Sequence, residues 1–308
     1  CLTVVSGGVK KGLCAAVEIL MPLLFVMLIV MLIYAILEGN FIAACRFLFE
    51  FDIASLSWRA ILEAMGLAFF TLSIGMGAIM AYGAYMPAGV SIGRTVLIIS
   101  VFDSLVAIVA GLIIFSIVFS TSGIEPTAGP GLMFISLPVA FGSMPAGQVI
   151  GIIFFVLVVI AAWSSAISLL EPATAWLVEA TGFTRFMASF LLIGFVWFLG
   201  LGSVFSFNLG RDFTLAGFTI FDGLDFMTSN ILLPIGGLAI SLFVGFVMNK
   251  DALLKQMVDL EGYLLTLKTP SSCKTLSLRV GWDWVLRYVA PTAIAAIFIM
   301  GIYDNMSY

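Results

Sequence analysis

The sequence predicts an all-α, polytopic membrane protein, and three observations carry that prediction. Of its 308 residues 62% are hydrophobic and only 10% charged, with a mean hydropathy of +1.22, whereas soluble domains carry about a quarter charged residues. Seven apolar stretches, each near the ~20 residues needed to cross a ~30 Å hydrocarbon core, take up most of the length. The basic residues are sorted unevenly between alternate loops, as membrane topology requires.

In order, the apolar segments run over 17–37, 61–86, 96–119, 149–178, 186–204, 228–248 and 285–302. Starting from a cytoplasmic first loop with Lys10 and Lys11, the cytoplasmic loops also hold Arg94, Arg185, Lys250, Lys255, Lys268, Lys274, Arg279 and Arg287. The opposite side holds only Arg46, Arg59 and Arg211. This bias orients the chain with its start cytoplasmic and its end external, in a plasma (inner) membrane surrounded by lipid. The loop 120–147 has no Lys or Arg and an apolar centre, Leu132 to Phe141, too short to span. It is expected to fold back over the external face as a lid or a packed connector. The loop 249–283 is polar with mixed charge and reads as a solvated connector. The first residues, CLTVVSGGVKKG, include neither an initiator Met nor a signal peptide, which is the expectation for an internal start.

Composition excludes several function classes. The net charge of −4 comes from dispersed residues without a basic cluster, so nucleic-acid binding is not expected. The chain has no histidine, which removes Ser-His-Asp and Cys-His nucleophile systems, histidine metal sites and histidine proton relays. Cys1, Cys14, Cys45 and Cys273 form no C-x-x-C and read as membrane or interfacial filler.

Three spans carry polar or helix-breaking residues at mid-membrane. In ILEAMGLAFFTLSIGMGAIMAYGAYMP, Gly75 and Gly77 bracket Met76 just after Thr71 and Ser73. Glycine weakens a helix by about 1 kcal/mol relative to alanine, so this stretch predicts an unwound turn, tolerated at that depth only where protein or a water-filled cavity satisfies the backbone. Such a turn offers carbonyls to a cation and N–H groups to an anion; the bland alternative is close helix packing by small residues. Asp103 lies in the third span with no basic residue at matching depth. A lone carboxylate there costs about 2.5–3.5 kcal/mol or more, which leaves a bound cation, a proton, or a protonated acid bonded to a carbonyl. In AAWSSAISLLEP, Ala161, Ser164, Ser165 and Leu169 share a helical face. Serines there commonly bond back to the preceding turn, but oxygen ligands on three spans also suit a hard cation such as Na⁺. Glu171, beside Pro172, reads as a satisfied structural carboxylate, with a gating or proton role as the alternative.

The segments FFTLSIGMGAIMAYGAY, FDSLVAIVAG, GPGLMFISLPVAF, WSSAISLLEP and FDGLDFMTSNILLP, taken in order along the chain, resemble the neurotransmitter:sodium symporter family, especially its bacterial amino-acid transporters. The resemblance implies part of a LeuT-type inverted-repeat fold with seven spans in a single transmembrane domain. Residues 1–16 would be the cytoplasmic loop after family helix four, 17–37 helix five, 58–248 the second repeat with the 120–147 lid, 249–284 a cytoplasmic loop and 285–303 helix eleven. Family helices one to four would be missing partners, expected from a truncated product.

The resemblance further implies a first sodium site at Thr71 and Asp103. A second would use the Ala161 carbonyl and the hydroxyls of Ser164 and Ser165. Phe70, Thr71, Ser73, Met76, Ser165 and Leu169 would contact the substrate. Tyr85 and Glu179 match positions of a cytoplasmic gate, and Asp225 the acidic half of an external gate. Leu67 and Ala107 stand where chloride-dependent members have Gln and Ser, and Asp103 where Asn is common, so sodium coupling without chloride is expected, with proton counter-movement through Asp103 as an option. The function implied is sodium-coupled symport of hydrophobic or aromatic amino acids by alternating access, with no covalent chemistry. A transport-dead, sodium-dependent receptor is the competing class; an intramembrane enzyme would need a nucleophile or metal ligands that the sequence does not offer.

Overall fold

In the computed structural model, residues 1–50, 56–87, 90, 92–121, 129–210, 213–214, 217–248 and 284–306 are described, most of them helical. In chain order the helices are α1 (Leu2–Ser6), α2 (Ala15–Glu38), α3 (Phe41–Phe49), α4 (Trp58–Thr71), α5 (Ala78–Ala84) and α6 (Ile92–Val118). They continue as α7 (Leu137–Ser143), α8 (Gly147–Thr181), α9 (Arg185–Phe205), α10 (Ile220–Phe226), α11 (Leu233–Leu242) and α12 (Ala290–Met306). Five continuous helical stretches are long and apolar enough to cross a membrane: Gly12–Glu38, Ile92–Val118, Gly147–Thr181, Arg185–Phe205 and Ile220–Val247. The last of these is α10 and α11 joined through the π-helical turn Met227–Leu232 and extended by a second such turn, Phe243–Val247.

The other two expected spans take different forms. The stretch 61–86 is two helices, α4 and α5, interrupted at residues 72–77 where the glycines anticipated a break. The stretch 285–302 is a shorter apolar helix, Val285–Gly301. Within the expected external loop the apolar centre forms a π-helical turn, Leu132–Ser136, leading into α7; residues 122–128 of that loop and the whole connector 249–283 lie outside the described residues.

The chain divides into two compact units, Cys1–Ser55 with Phe102–Leu191, and Leu56–Val101 with Leu192–Tyr308. In the first, the core joins Leu28, Met31 and Ala35 of α2, Ile113 and Ile117 of α6, Leu137, Ala140 and Phe141 of α7, and Phe154 of α8. Fully burying one such side chain contributes about 1.5–3 kcal/mol relative to water. The Phe141 and Phe154 rings lie 5.6 Å apart. Asn40 shapes the exit from α2: its side chain accepts from the Ala43 N–H at 3.3 Å as the N-cap of α3, and its own N–H donates to the Ser116 carbonyl at 2.9 Å. The turn after α7 is tied on both sides. Tyr34 of α2 donates to the Pro145 carbonyl (2.8 Å), and the hydroxyls of Thr121 and Ser143 lie 2.9 Å apart.

The second unit packs α4 and α11 against α12, with Leu233 and Ile294 buried. Ser206, just after α9, accepts from the Phe221 N–H at 3.1 Å, and the rings of Phe207 and Phe221 pack tilted at 54° with centroids 4.9 Å apart, fixing the corner into α10. Large apolar side chains remain exposed on the long helices, among them Trp176, Trp197 and Phe198. A soluble domain would cover such contiguous surface, whereas a membrane helix presents it to lipid or to other helices.

Candidate substrate and ion site

The broken helix between α4 and α5 positions the first group of candidate residues. After Thr71, whose hydroxyl donates back to the Ala68 carbonyl at 3.3 Å, the chain makes irregular turns: the Ser73 N–H donates to Phe70 O (3.0 Å) and the Ile74 N–H to Phe69 O (2.9 Å). Gly75 and Gly77 adopt φ of 91° and 81°, the left-handed region that an L side chain enters only at a cost. Ser73 does so as well, with φ 53°. A non-glycine residue held there marks backbone over-determined by its surroundings. Met76 sits between the two glycines, inside the turn.

Of this group Phe70, but not Thr71, Ser73 or Met76, lines a cavity of about 790 Å³ in the second unit, together with Leu62, Glu63, Phe69, Asp225 and Asn230 among others. Phe70 and Asp225 are therefore brought to one cavity. Asp225, on α10, accepts from the Ser229 hydroxyl at 3.3 Å. The walls are mostly apolar with a few polar groups, the usual make-up of a small-molecule pocket. Glu63 and Asn230 were not singled out in the sequence. Glu63 does lie seven residues before Phe70, two helical turns back on the same face, which is the signal that could have found it.

The second group lies on α8 in the first unit. Ser164 donates its hydroxyl proton to the Ala161 carbonyl at 2.9 Å, the back-bond to the preceding turn, which brings two of the expected ligand oxygens side by side. Ser165 differs: among the described residues its hydroxyl has no hydrogen-bond partner. Only one of the two serines follows the back-bonding expected of serine in a helix. Ala161 and Ser165 both line a cavity of about 370 Å³ walled by Leu28, Ile113, Phe154 and Val158 among others. Leu169 follows one turn on from Ser165 and is exposed.

Asp103 sits near the middle of α6, half-buried, and among the described residues has neither a hydrogen bond nor an ion pair. It belongs to the first unit and Thr71 to the second. The same division separates Tyr85, the residue closing α5, from the exposed Glu179 near the end of α8. Glu171 is settled in its environment. It is 1% exposed and ion-paired with Arg185, the first residue of α9, whose Nε donates to the Val5 carbonyl at 3.0 Å. This arrangement fits the structural reading of Glu171 and gives Arg185 a partner that its place in a loop charge count did not suggest.

Residues 1–307 match the profile of the sodium:neurotransmitter symporter family. The chain belongs to that family. With five helices among the described residues long and apolar enough to cross a membrane, membership of that family makes it a multi-pass membrane protein. It is similar to two uncharacterized sodium-dependent transporters. One is from Bacillus subtilis, 32% identical over 96% of this chain and 63% of the relative; the other is from Haemophilus influenzae, 31% identical over 97% of this chain and 63% of the relative. Among solved structures it resembles the crystal structure of MhsT in complex with L-phenylalanine, with a TM-score of 0.80, 36% identity and coverage of 97% of this chain and 65% of that one. The chain thus spans just under two thirds of the length of these relatives.

Proposed function

We propose that this chain forms family helices five to eleven of a sodium-coupled amino-acid symporter, all seven crossing the membrane, with the chain start cytoplasmic and the chain end external. One observation carries the reading: in a chain of a sodium symporter family, the helix of residues 58–84 is broken at mid-length by left-handed Ser73, Gly75 and Gly77. A broken membrane helix exposes backbone groups that an ion or a zwitterion can satisfy, and symporters place substrate and ion there.

In this reading Thr71 and Asp103 hold one sodium ion, and the Ala161 carbonyl with Ser164 and Ser165 holds a second. Oxygen ligands suit a hard monovalent cation, and a carboxylate offsets its charge. Phe70, Thr71, Ser73, Met76, Ser165 and Leu169 surround the substrate. The amino-acid carboxylate and further sodium ligands are met by family helix one. The apolar residues Phe70, Met76 and Leu169 provide no charge for an acidic or basic side chain, which favours hydrophobic or aromatic amino acids; Met76 adapts its shape to varied ones. Tyr85 and Glu179 close the cytoplasmic side, and Asp225 contributes to the external gate. Chloride is not needed, because Leu67 and Ala107 offer it no polar contact and Asp103 already carries the compensating charge.

Alternating access follows from coupling. Sodium binding stabilises the outward-facing arrangement that accepts substrate, and the joint occupancy shifts the population toward the occluded and inward-facing states. The test is uptake of labelled L-phenylalanine by proteoliposomes holding the complete reading frame that contains this chain, with sodium or potassium outside. Uptake with sodium alone is the expected result. Sodium-dependent binding without flux would make the protein a receptor instead, and neither binding nor uptake across a panel of apolar amino acids would overturn the reading.

A further inference from the structure

The turn at residues 72–77 does not stand free; it lies directly on the backbone of α11. A methyl group placed on Gly236 would sit 2.4 Å from the carbonyl oxygen of Gly75. Reciprocally, a methyl on Gly75 would sit 2.5 Å from the Leu233 carbonyl oxygen and 2.9 Å from the Gly237 nitrogen. One on Gly237 would meet Cε1 of Phe69 at 3.0 Å. The first three contacts are with backbone, which cannot rotate away as a side chain can. Phe69 immediately precedes Phe70, and its carbonyl accepts the Ile74 N–H inside the turn. The two glycines therefore meet both the Phe69 ring just before the break and the backbone within it.

We propose that Gly236 and Gly237 are positioning residues: they form a side-chain-free notch on α11 that sets where the unwound turn lies, and through it the placement of Phe70, Ser73 and Met76. Any side chain at 236 forces the Gly75 carbonyl away, since a Cβ and a carbonyl oxygen essentially never approach within 3.0 Å. The displacement moves Ser73 and Met76 with the turn. The notch is complementary to the break. Gly75 supplies the left-handed bend, and Gly236 supplies the room into which that bend packs. The placement rests on backbone geometry alone; its effect on transport rests on the symport proposed above.

Hydrogen–deuterium exchange and uptake separate the two. In the complete reading frame, Gly236→Ala is expected to speed exchange of the Ser73 and Ile74 amides at least tenfold while exchange within 92–118 is unchanged. Unchanged exchange at 73 and 74 in a folded Gly236→Ala protein overturns the proposal. Should that variant not fold, Gly237→Ala decides. Its methyl presses only on the far edge of the Phe69 ring, so a several-fold acceleration that Phe69→Leu reverses supports the notch, and wild-type exchange overturns it. In proteoliposomes the KM for L-phenylalanine should rise tenfold or more with kcat within about threefold of wild type. A fall in kcat that merely tracks the folded fraction, at unchanged KM, overturns the positioning role. Absence of sodium-dependent uptake in the unmutated protein would count against symport and leave the exchange result to judge the notch.

Discussion

Ser165 and Glu171 stand six residues apart on α8, and their surroundings give opposite expectations for substitution. Ser165 has no protein hydrogen bond among the described residues, so replacing it by alanine removes nothing from the fold. If its hydroxyl is a sodium ligand, Ser165→Ala leaves the unfolding temperature in sodium-free buffer unchanged. It should raise the sodium concentration for half-maximal uptake about tenfold, equivalent to ~1.4 kcal/mol. The stabilisation that sodium confers, which follows RT ln(1 + [Na⁺]/Kd), should shrink accordingly. An unaltered sodium-induced shift in melting temperature would remove Ser165 from the ion site. Glu171 is the reverse case. Glu171→Gln leaves the Arg185 guanidinium without its charge partner; fully buried pairs cost about 3–5 kcal/mol to break in this way. Because Arg185 keeps 28% of its side-chain exposure, water recovers part of that, and a loss of about 1–2 kcal/mol is expected by thermal unfolding in detergent. An unchanged unfolding temperature would mean that the pair contributes nothing to the fold.

Elements show where the sequence speaks and where it falls silent. The break at residues 72–77 is legible because two closely spaced glycines beside hydroxyls weaken a helix, although small-residue packing leaves the same pattern, and the long apolar helices are legible because a bilayer dictates their length. Ser73 in a left-handed conformation is not legible, since serine carries no mark of it. The Glu171–Arg185 pair depends on how α8 and α9 rotate about their axes after the short link at residues 182–184, and the contact of Gly75 with Gly236 joins residues far apart in sequence. Such tertiary contacts leave no periodic signal. The same holds for Tyr34, which reads as one more apolar-face residue of α2 yet donates to the Pro145 carbonyl and so fastens the turn after α7. Tyr34→Phe removes one hydrogen bond with little change of shape, worth about 1 kcal/mol. Its expected signature is local, with faster amide exchange at Met144 and Gly147, whose N–H groups bond within that turn, and no change in α6. Exchange unaffected at both residues would show that the turn is held by its other contacts.

At the scale of the whole molecule, charge has to balance across a low-dielectric interior, and the proposed function assigns that balance to Asp103. In the proposed symport, two sodium ions and a zwitterion would bring two positive charges into a membrane site, where each unpaired charge is costly. A chloride-dependent transporter offsets one with a bound anion, but Leu67 offers no donor and Ala107 has only a methyl group. In the proposed function the carboxylate of Asp103 would supply the offset instead. Replacing external chloride with gluconate should therefore leave the initial rate of sodium-driven uptake within about twofold. Asp103→Asn removes the offset without creating an anion site, so uptake falls tenfold or more and chloride does not restore it. Adding Leu67→Gln and Ala107→Ser to Asp103→Asn supplies polar groups at the positions where chloride-dependent relatives carry them, and uptake should return only with chloride present. That triple variant tests charge compensation apart from ligand geometry, because the substituted amide still offers an oxygen to sodium. Chloride-stimulated uptake by the unmutated protein, or chloride rescue of Asp103→Asn alone, would place the compensating charge elsewhere.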